Sequence, residues 1–151
     1  MKPNIPVSGG LGGRAVATGW TVWHSPMGAS APDWTPPAAS ADAPMTCALP
    51  MDVRTLLFRH GRCPDPRRDD ASKASDWVVR HDWFFATTFE LAPPAGNGTR
   101  VFLRTRGVDD LAEFRLNGVT VGRTVSFNQL QYHDITGALR ADGRQQLMAR
   151  L

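Results

Sequence analysis

The stretch DWVVRHDWFFATTFEL, residues 76–91, carries two Trp and three Phe. Side chains alternate between opposite faces along a β-strand. Trp77, Val79, His81, Trp83, Phe85, Thr87, Phe89 and Leu91 share one parity, and Val78, Arg80, Asp82, Phe84, Ala86, Thr88 and Glu90 share the other. The first set is nearly all apolar and the second is mixed, a sorting that a helical period does not produce. The pattern predicts a strand over 77–91 with its aromatic face in a core. Each aromatic buried there contributes roughly 1.5–3 kcal/mol over leaving it exposed. Trp77 and Trp83 would then serve the core, since a ring stacks on a sugar only where its face is open.

The neighbouring segments agree with a β-rich fold. "GWTVWH" (19–24) reads as a strand, and the Pro-rich "SPMGASAPDWTPPAASADAP" after it as a loop. In "MDVRTLLFRHG", Val53, Leu56, Leu57 and His60 fall at helical spacing and Gly61 can end the turn, which predicts one short helix. "RVFLRTR" predicts a strand with Val101, Leu103 and Thr105 inward. "LAEFRLNGVTVG" predicts a hairpin: Ala112, Phe114 and Leu116 point inward, and Asn117-Gly118 supplies the two positive φ angles of a type I′ turn. "QQLMARL" alternates Leu147, Ala149 and Leu151. The total is six to eight strands and one helix, with turns every 8–12 residues, an antiparallel β-sandwich or jelly roll. Residues 1–15, with four Gly and two Pro, read as a flexible lead-in, and 16–151 as one jelly-roll domain.

A chain of 151 residues fits a single domain. The net charge of +3 is scattered, with Arg67-Arg68 followed by Asp69-Asp70, so no basic stripe for nucleic acid forms. Cys47 and Cys63 make neither a disulfide framework nor a CxxC metal site, and are expected to be reduced and partly buried. "MKPNIPVSGGLGGR" lacks an apolar signal core, and no run approaches 18 apolar residues. Cytoplasmic location is the expectation. The string Gly10-Leu-Gly12-Gly-Arg-Ala15 mimics a dinucleotide fingerprint without the strand and helix that give it meaning.

Four blocks, in order, resemble the front of β-mannosidases of glycoside hydrolase family 2. "CALPMDVRTLLFRHGRCPDP" is similar to the family's VPG-x-V-x-x-x-L-x-x-x-G-x-I-x-DP segment. "DWVVRHDWFFATTFEL" resembles W-V-x-x-x-D-W-x-Y-x-x-x-F, and "GVDDLAEFRLNGVTVGRT" resembles the family's block around its N-G turn. "YHDITGALRADGRQQLMARL" is similar to F-D-(V/I)-T-x-x-L-x-x-G-x-N-x-L. The resemblance covers residues 45–151. Met51, Phe85, Asp110 and Gln145 stand where the family commonly has Gly, Tyr, Thr and Asn. It implies a galactose-binding-like jelly roll that packs against a catalytic barrel. The catalytic glutamates would lie in that barrel, beyond Leu151, as would a W-D-W-G-P stretch. The domain is thus expected to be truncated at its C-terminal end, leaving an unpaired strand edge and an apolar interface patch.

The site expectations follow. Retaining glycosidases hold two carboxylates about 5–5.5 Å apart. The only glutamates, Glu90 and Glu113, sit at outward strand positions, so catalytic residues are expected to be absent. Asp76 and Asp82 flank the aromatic strand, where they would cap loops or meet a barrel. Asp109 reads as a backbone-bonding strand entrance, and Asn117-Gly118 as a turn only. His24, His60, His81 and His133 are scattered, short of the three or four converging ligands of a zinc site, and no cofactor is expected. Trp34, in the Pro-rich loop, is expected to be exposed and to meet sugar or a partner domain. The reading is an accessory domain of a glycosidase acting on terminal β-mannosides. Its partners would be the catalytic barrel and, as a second candidate, carbohydrate. The alternatives are a stand-alone carbohydrate-binding module and a decayed reading frame without function.

Overall fold

The computed structural model describes residues 6–9, 13–16, 19–29, 33–36, 43–68, 71–96, 98–108, 111–126 and 128–151. The described strands are β1 (Pro6–Gly9), β2 (Gly13–Val16), β3 (Trp20–Pro26), β4 (Met45–Cys47), β5 (His81–Glu90), β6 (Phe102–Thr105), β7 (Ala112–Leu116), β8 (Val119–Thr124), β9 (Gln131–Asp134) and β10 (Arg144–Arg150). Helices α1 (Val53–Arg59) and α2 (Ala71–Ala74) and two 3-10 turns, Asp76–Arg80 and Thr136–Ala138, lie between them. The strands form a six-stranded sheet, β4-β3-β5-β10-β7-β8, and a four-stranded sheet, β2-β1-β6-β9. Every pairing is antiparallel.

One core joins the two sheets. Trp20, Val22, Trp83, Phe85, Phe114, Leu116, Leu147 and Ala149 come from the larger sheet, and Leu103 comes from the smaller one, flanked by Val101 and Ile135. Helix α1 adds Leu56 and Leu57, the buried face its spacing predicts. Asp52 caps it by accepting from the Thr55 N–H at 2.9 Å, and Gly61 follows at φ 68°. The hairpin forms as expected, with Asn117 at φ 54° and Gly118 at φ 86°. Val101, Leu103 and Thr105 are buried as their parity predicts.

The structure corrects three expectations. The aromatic stretch does not enter the sheet at Trp77. Residues 76–80 wind into a 3-10 turn, Val78 is buried and Val79 is exposed. The strand pairing with β3 runs to Pro26 opposite His81, and beyond it the Met27 N–H still donates to the Arg80 carbonyl at 3.0 Å. The Trp83 indole N–H donates to the Val78 carbonyl at 3.0 Å. Within the expected lead-in, β1 and β2 pair with each other, and β1 pairs with β6. Backbone pairing needs no apolar period, so glycine-rich composition hid these strands. Helix α2 was not foreseen beside α1. The last strand, β10, lies inside the larger sheet, hydrogen-bonded to β5 on one side and β7 on the other. Gly10, Gly12, Asp109 and Phe127 lie outside the described residues.

Candidate functional site

Phe84, between two core aromatics on β5, points to the outer face of the six-stranded sheet. It stacks on Trp23 with centroids 5.5 Å apart and planes 10° apart. Trp34 closes over it from the Pro-rich loop at 5.9 Å, and Met148 completes this second cluster. Trp34 is only 2% exposed, contrary to the expectation of an open ring. Its φ of 60° is strained for a bulky residue. Asp33 holds the turn by accepting from the Thr35 N–H at 3.2 Å and hydroxyl at 3.0 Å. These bonds also draw the Asp33 carboxyl below its ordinary range. The Arg115 guanidinium lies 3.8 Å above the Trp34 ring, with that of Arg150 at 5.3 Å. A cation over an indole is attractive, and here it covers the face that a sugar would use.

Glu113 ties these arginines together, and its role was invisible to strand parity. It is 7% exposed. Its Oε1 accepts from Arg115 Nε at 3.2 Å and the Thr120 hydroxyl at 3.2 Å, and its Oε2 from Arg123 Nε at 3.0 Å. Arg150 adds a longer ion pair at 3.9 Å. Burial pushes the Glu113 carboxyl up, but the bond and charge of Arg123, with Thr120 and Arg115, outweigh it and hold the group low. A general acid needs a raised pKa, so Glu113 is set as a fixed anion. Glu90 is exposed on β5.

Of the other expected residues, Asp82 projects to the same outer face two positions before Phe84, half-buried, and accepts from the Gly28 N–H at 3.1 Å. Asp76 is exposed at the head of the 3-10 turn. Trp34 and Asp82 thus share one sheet face, while Asp76 stands apart from it on the turn. Trp83 is buried and Trp77 half-buried, packed 5.8 Å apart, with His24 5.1 Å from Trp77 and 4.6 Å from Trp83, and His81 5.1 Å from Trp77. His81 Nδ1 lies 2.9 Å from the Trp77 carbonyl oxygen. No group of three or more His, Cys, Asp or Glu converges on a metal position among the described residues. A cavity of ≈ 490 Å³ beside β3 and β4 is lined by Gly19, Trp20, Thr21, Thr46, Cys47 and Ala48, with no charged side chain among them. Cys47 and Cys63 are both free and half-buried, and burial pushes the Cys47 thiol up.

Asn117 also exceeds its expected role. Its Nδ2 donates to Gln145 Oε1 and to the Ala138 carbonyl, both at 2.7 Å, and its Oδ1 accepts from the Gln146 N–H at 2.9 Å. Gln145, 1% exposed, donates in turn to the Leu91 and Arg140 carbonyls at 2.7 and 3.1 Å. One end of the sandwich is thereby stitched by side-chain amides.

The architecture is a two-sheet antiparallel β-sandwich in which Asp33, Asp82 and Glu113 are engaged in structural bonds. The chain belongs to the glycosyl hydrolase 2 galactose-binding domain-like family, whose model matches residues 24–151. Its similarity to particular proteins runs to β-mannosidases. It is 30% identical over 97 residues to β-mannosidase B of Thermothelomyces thermophilus, covering 64% of this chain and 11% of that protein. It is 28% identical over 130 residues to β-mannosidase B of Aspergillus terreus, covering 86% and 14%. The solved β-D-mannosidase of Dictyoglomus thermophilum superposes with a TM-score of 0.69 at 20% identity, over 89% of this chain and 15% of that one, which shows a shared fold. The chain therefore spans a small fraction of the length of the curated relatives it matches.

Proposed function

We propose that this domain is the N-terminal accessory domain of an enzyme that hydrolyses terminal β-mannosides, with a catalytic barrel as its partner. One observation carries the reading. Relatives named β-mannosidase match most of this chain but only 11–14% of their own length. The electrostatics support an accessory role: Glu113 is held as an anion by Arg115 and Arg123 rather than poised to give a proton. The buried, arginine-covered Trp34 argues against sugar stacking at that ring. The test is to read the gene beyond the codon for Leu151. A frame that runs on into a barrel with two catalytic carboxylates supports the proposal. A stop codon at that point contradicts it and favours a stand-alone module.

A further inference from the structure

His133 sits in the seam between the two sheets. In the smaller sheet Leu103 lies opposite His133 and Thr105 opposite Gln131. Directly opposed residues share a sheet face. Leu103 and Thr105 are buried, so His133 points with them toward the larger sheet. Arg104, Tyr132 and Asp134 alternate to the other face.

The larger sheet leaves room for this ring. Phe114 on β7 is buried and lies opposite Gly122 on β8. A Cβ on Gly122 would fall within the His133 imidazole. The ring packs on Phe114 with centroids 5.3 Å apart, and its Nε2 lies 3.3 Å from the Thr105 hydroxyl oxygen. One imidazole therefore touches β6, β7 and β8. The charged groups of these strands face elsewhere: Arg104 lies on the far side of β6, and Glu113 bonds Arg115 and Arg123 on the outer face of β7 and β8. On β9 itself Asp134 is bonded to Thr136 and Arg100. No charged side chain among the described residues faces the ring, and burial pulls its titration below the ordinary histidine value.

We infer that His133 is a pH-sensitive clasp: neutral, its ring fills the space over Gly122 and locks β9 against the larger sheet; protonated, it leaves that space and frees the β8–β9 side of the sandwich. The inference is independent of the accessory-domain reading. Placing a charge in a desolvated seam with a hydroxyl as its polar partner is costly, and withdrawal of the ring to water relieves that cost. β9 is free to follow, because it is an edge strand held to β6 along only four residues. Edge segments with few ties open at low cost. The folded titration lies below the ordinary value of 6.5, so the clasp is fully closed above 6.5 and its contribution is lost as the pH falls below it.

Hydrogen exchange of the 151-residue chain, read by NMR as protection factors at about pH 7.5 and about pH 5, tests the clasp. The inference predicts that protection in the β6–β9 ladder falls several-fold at the lower pH, while the β5–β10 ladder is unchanged. The His133 imidazole should titrate below 6.5, and the loss of protection should follow its midpoint. His133→Phe keeps a ring over Gly122 that takes no proton, so it should hold the ladder closed at both pH values. If that variant does not fold, the wild-type titration still decides, because His24, His60 and His81 report in the same spectrum. Equal protection at both pH values, or a His133 midpoint at or above 6.5, overturns the inference. So does a pH-dependent loss that persists in His133→Phe or follows the midpoint of another histidine.

Discussion

Replacing Glu113 with Ala removes the acceptor shared by Arg115, Arg123 and Thr120. The loss is uneven. The Arg123 side chain is 73% exposed, so water replaces its partner and that share is about 0.5 kcal/mol. The Arg115 side chain is 22% exposed and pressed onto Trp34, so its charge loses a bond that water restores poorly. A charge-assisted bond of this kind contributes about 1.5–3 kcal/mol. The total expected cost is about 2–3.5 kcal/mol. For a domain of this size that lowers Tm by roughly 4–14 °C, at about 2–4 °C per kcal/mol. Urea unfolding followed by tryptophan fluorescence gives the number directly. Arg123→Ala should lose no more than about 1 kcal/mol in the same assay. If Glu113→Ala unfolds at the wild-type midpoint, or Arg123→Ala costs as much, the buried-anchor reasoning is wrong.

Three further outcomes are expected. Asn117→Gly keeps the positive φ but loses the bonds to Ala138, Gln145 and Gln146, so it should cost about 2 kcal/mol in urea unfolding, whereas a pure turn residue would cost near zero. A methyl at Gly122 overlaps the half-buried His133 ring, which packs on Phe114 with centroids 5.3 Å apart. Gly122→Ala should therefore cost about 1–3 kcal/mol, and most of that cost should vanish in a His133→Ala background. Bonds from the Thr136 hydroxyl and N–H, with Arg100, hold the Asp134 carboxyl at about 2. Its folded value lies below its unfolded one, so its stabilising contribution is present above about pH 4 and is lost as pH falls through about 2. A carboxyl carbon NMR titration of Asp134 with its midpoint near 4 would contradict this.

Local periodicity made much of this fold legible. The parity of Trp83, Phe85 and Phe89, the Asn117-Gly118 turn, and the Val101, Leu103, Thr105 face all appear where alternation puts them. The misses share a physical cause. Alternation says which face a side chain takes but not what lies over that face. Glu113 and Phe84 point outward from their strands, yet the Trp34 loop and the arginines of β7, β8 and β10 bury them. Trp34 itself sits in a Pro-rich segment with no period, so nothing local marked it as buried. The β1 and β2 strands carry little apolar signal, and their pairing is long-range in sequence where it meets β6. The 3-10 turn before β5 is tied to the end of β3, where the Met27 N–H bonds the Arg80 carbonyl across more than fifty residues of sequence. The four family-like blocks carried the identity of the domain, because they register the fold as a whole rather than any one element.

The proposal that this β-domain serves as the accessory domain of a β-mannosidase rests on relatives it matches over only 11–14% of their length. The most direct measurement is the rate of aryl β-mannoside hydrolysis, taken in parallel for the 151-residue chain and for the full product of its gene. The account predicts turnover by the full product and none above background by the chain alone. Turnover by the chain alone, or a full product inactive on β-mannosides, would contradict it.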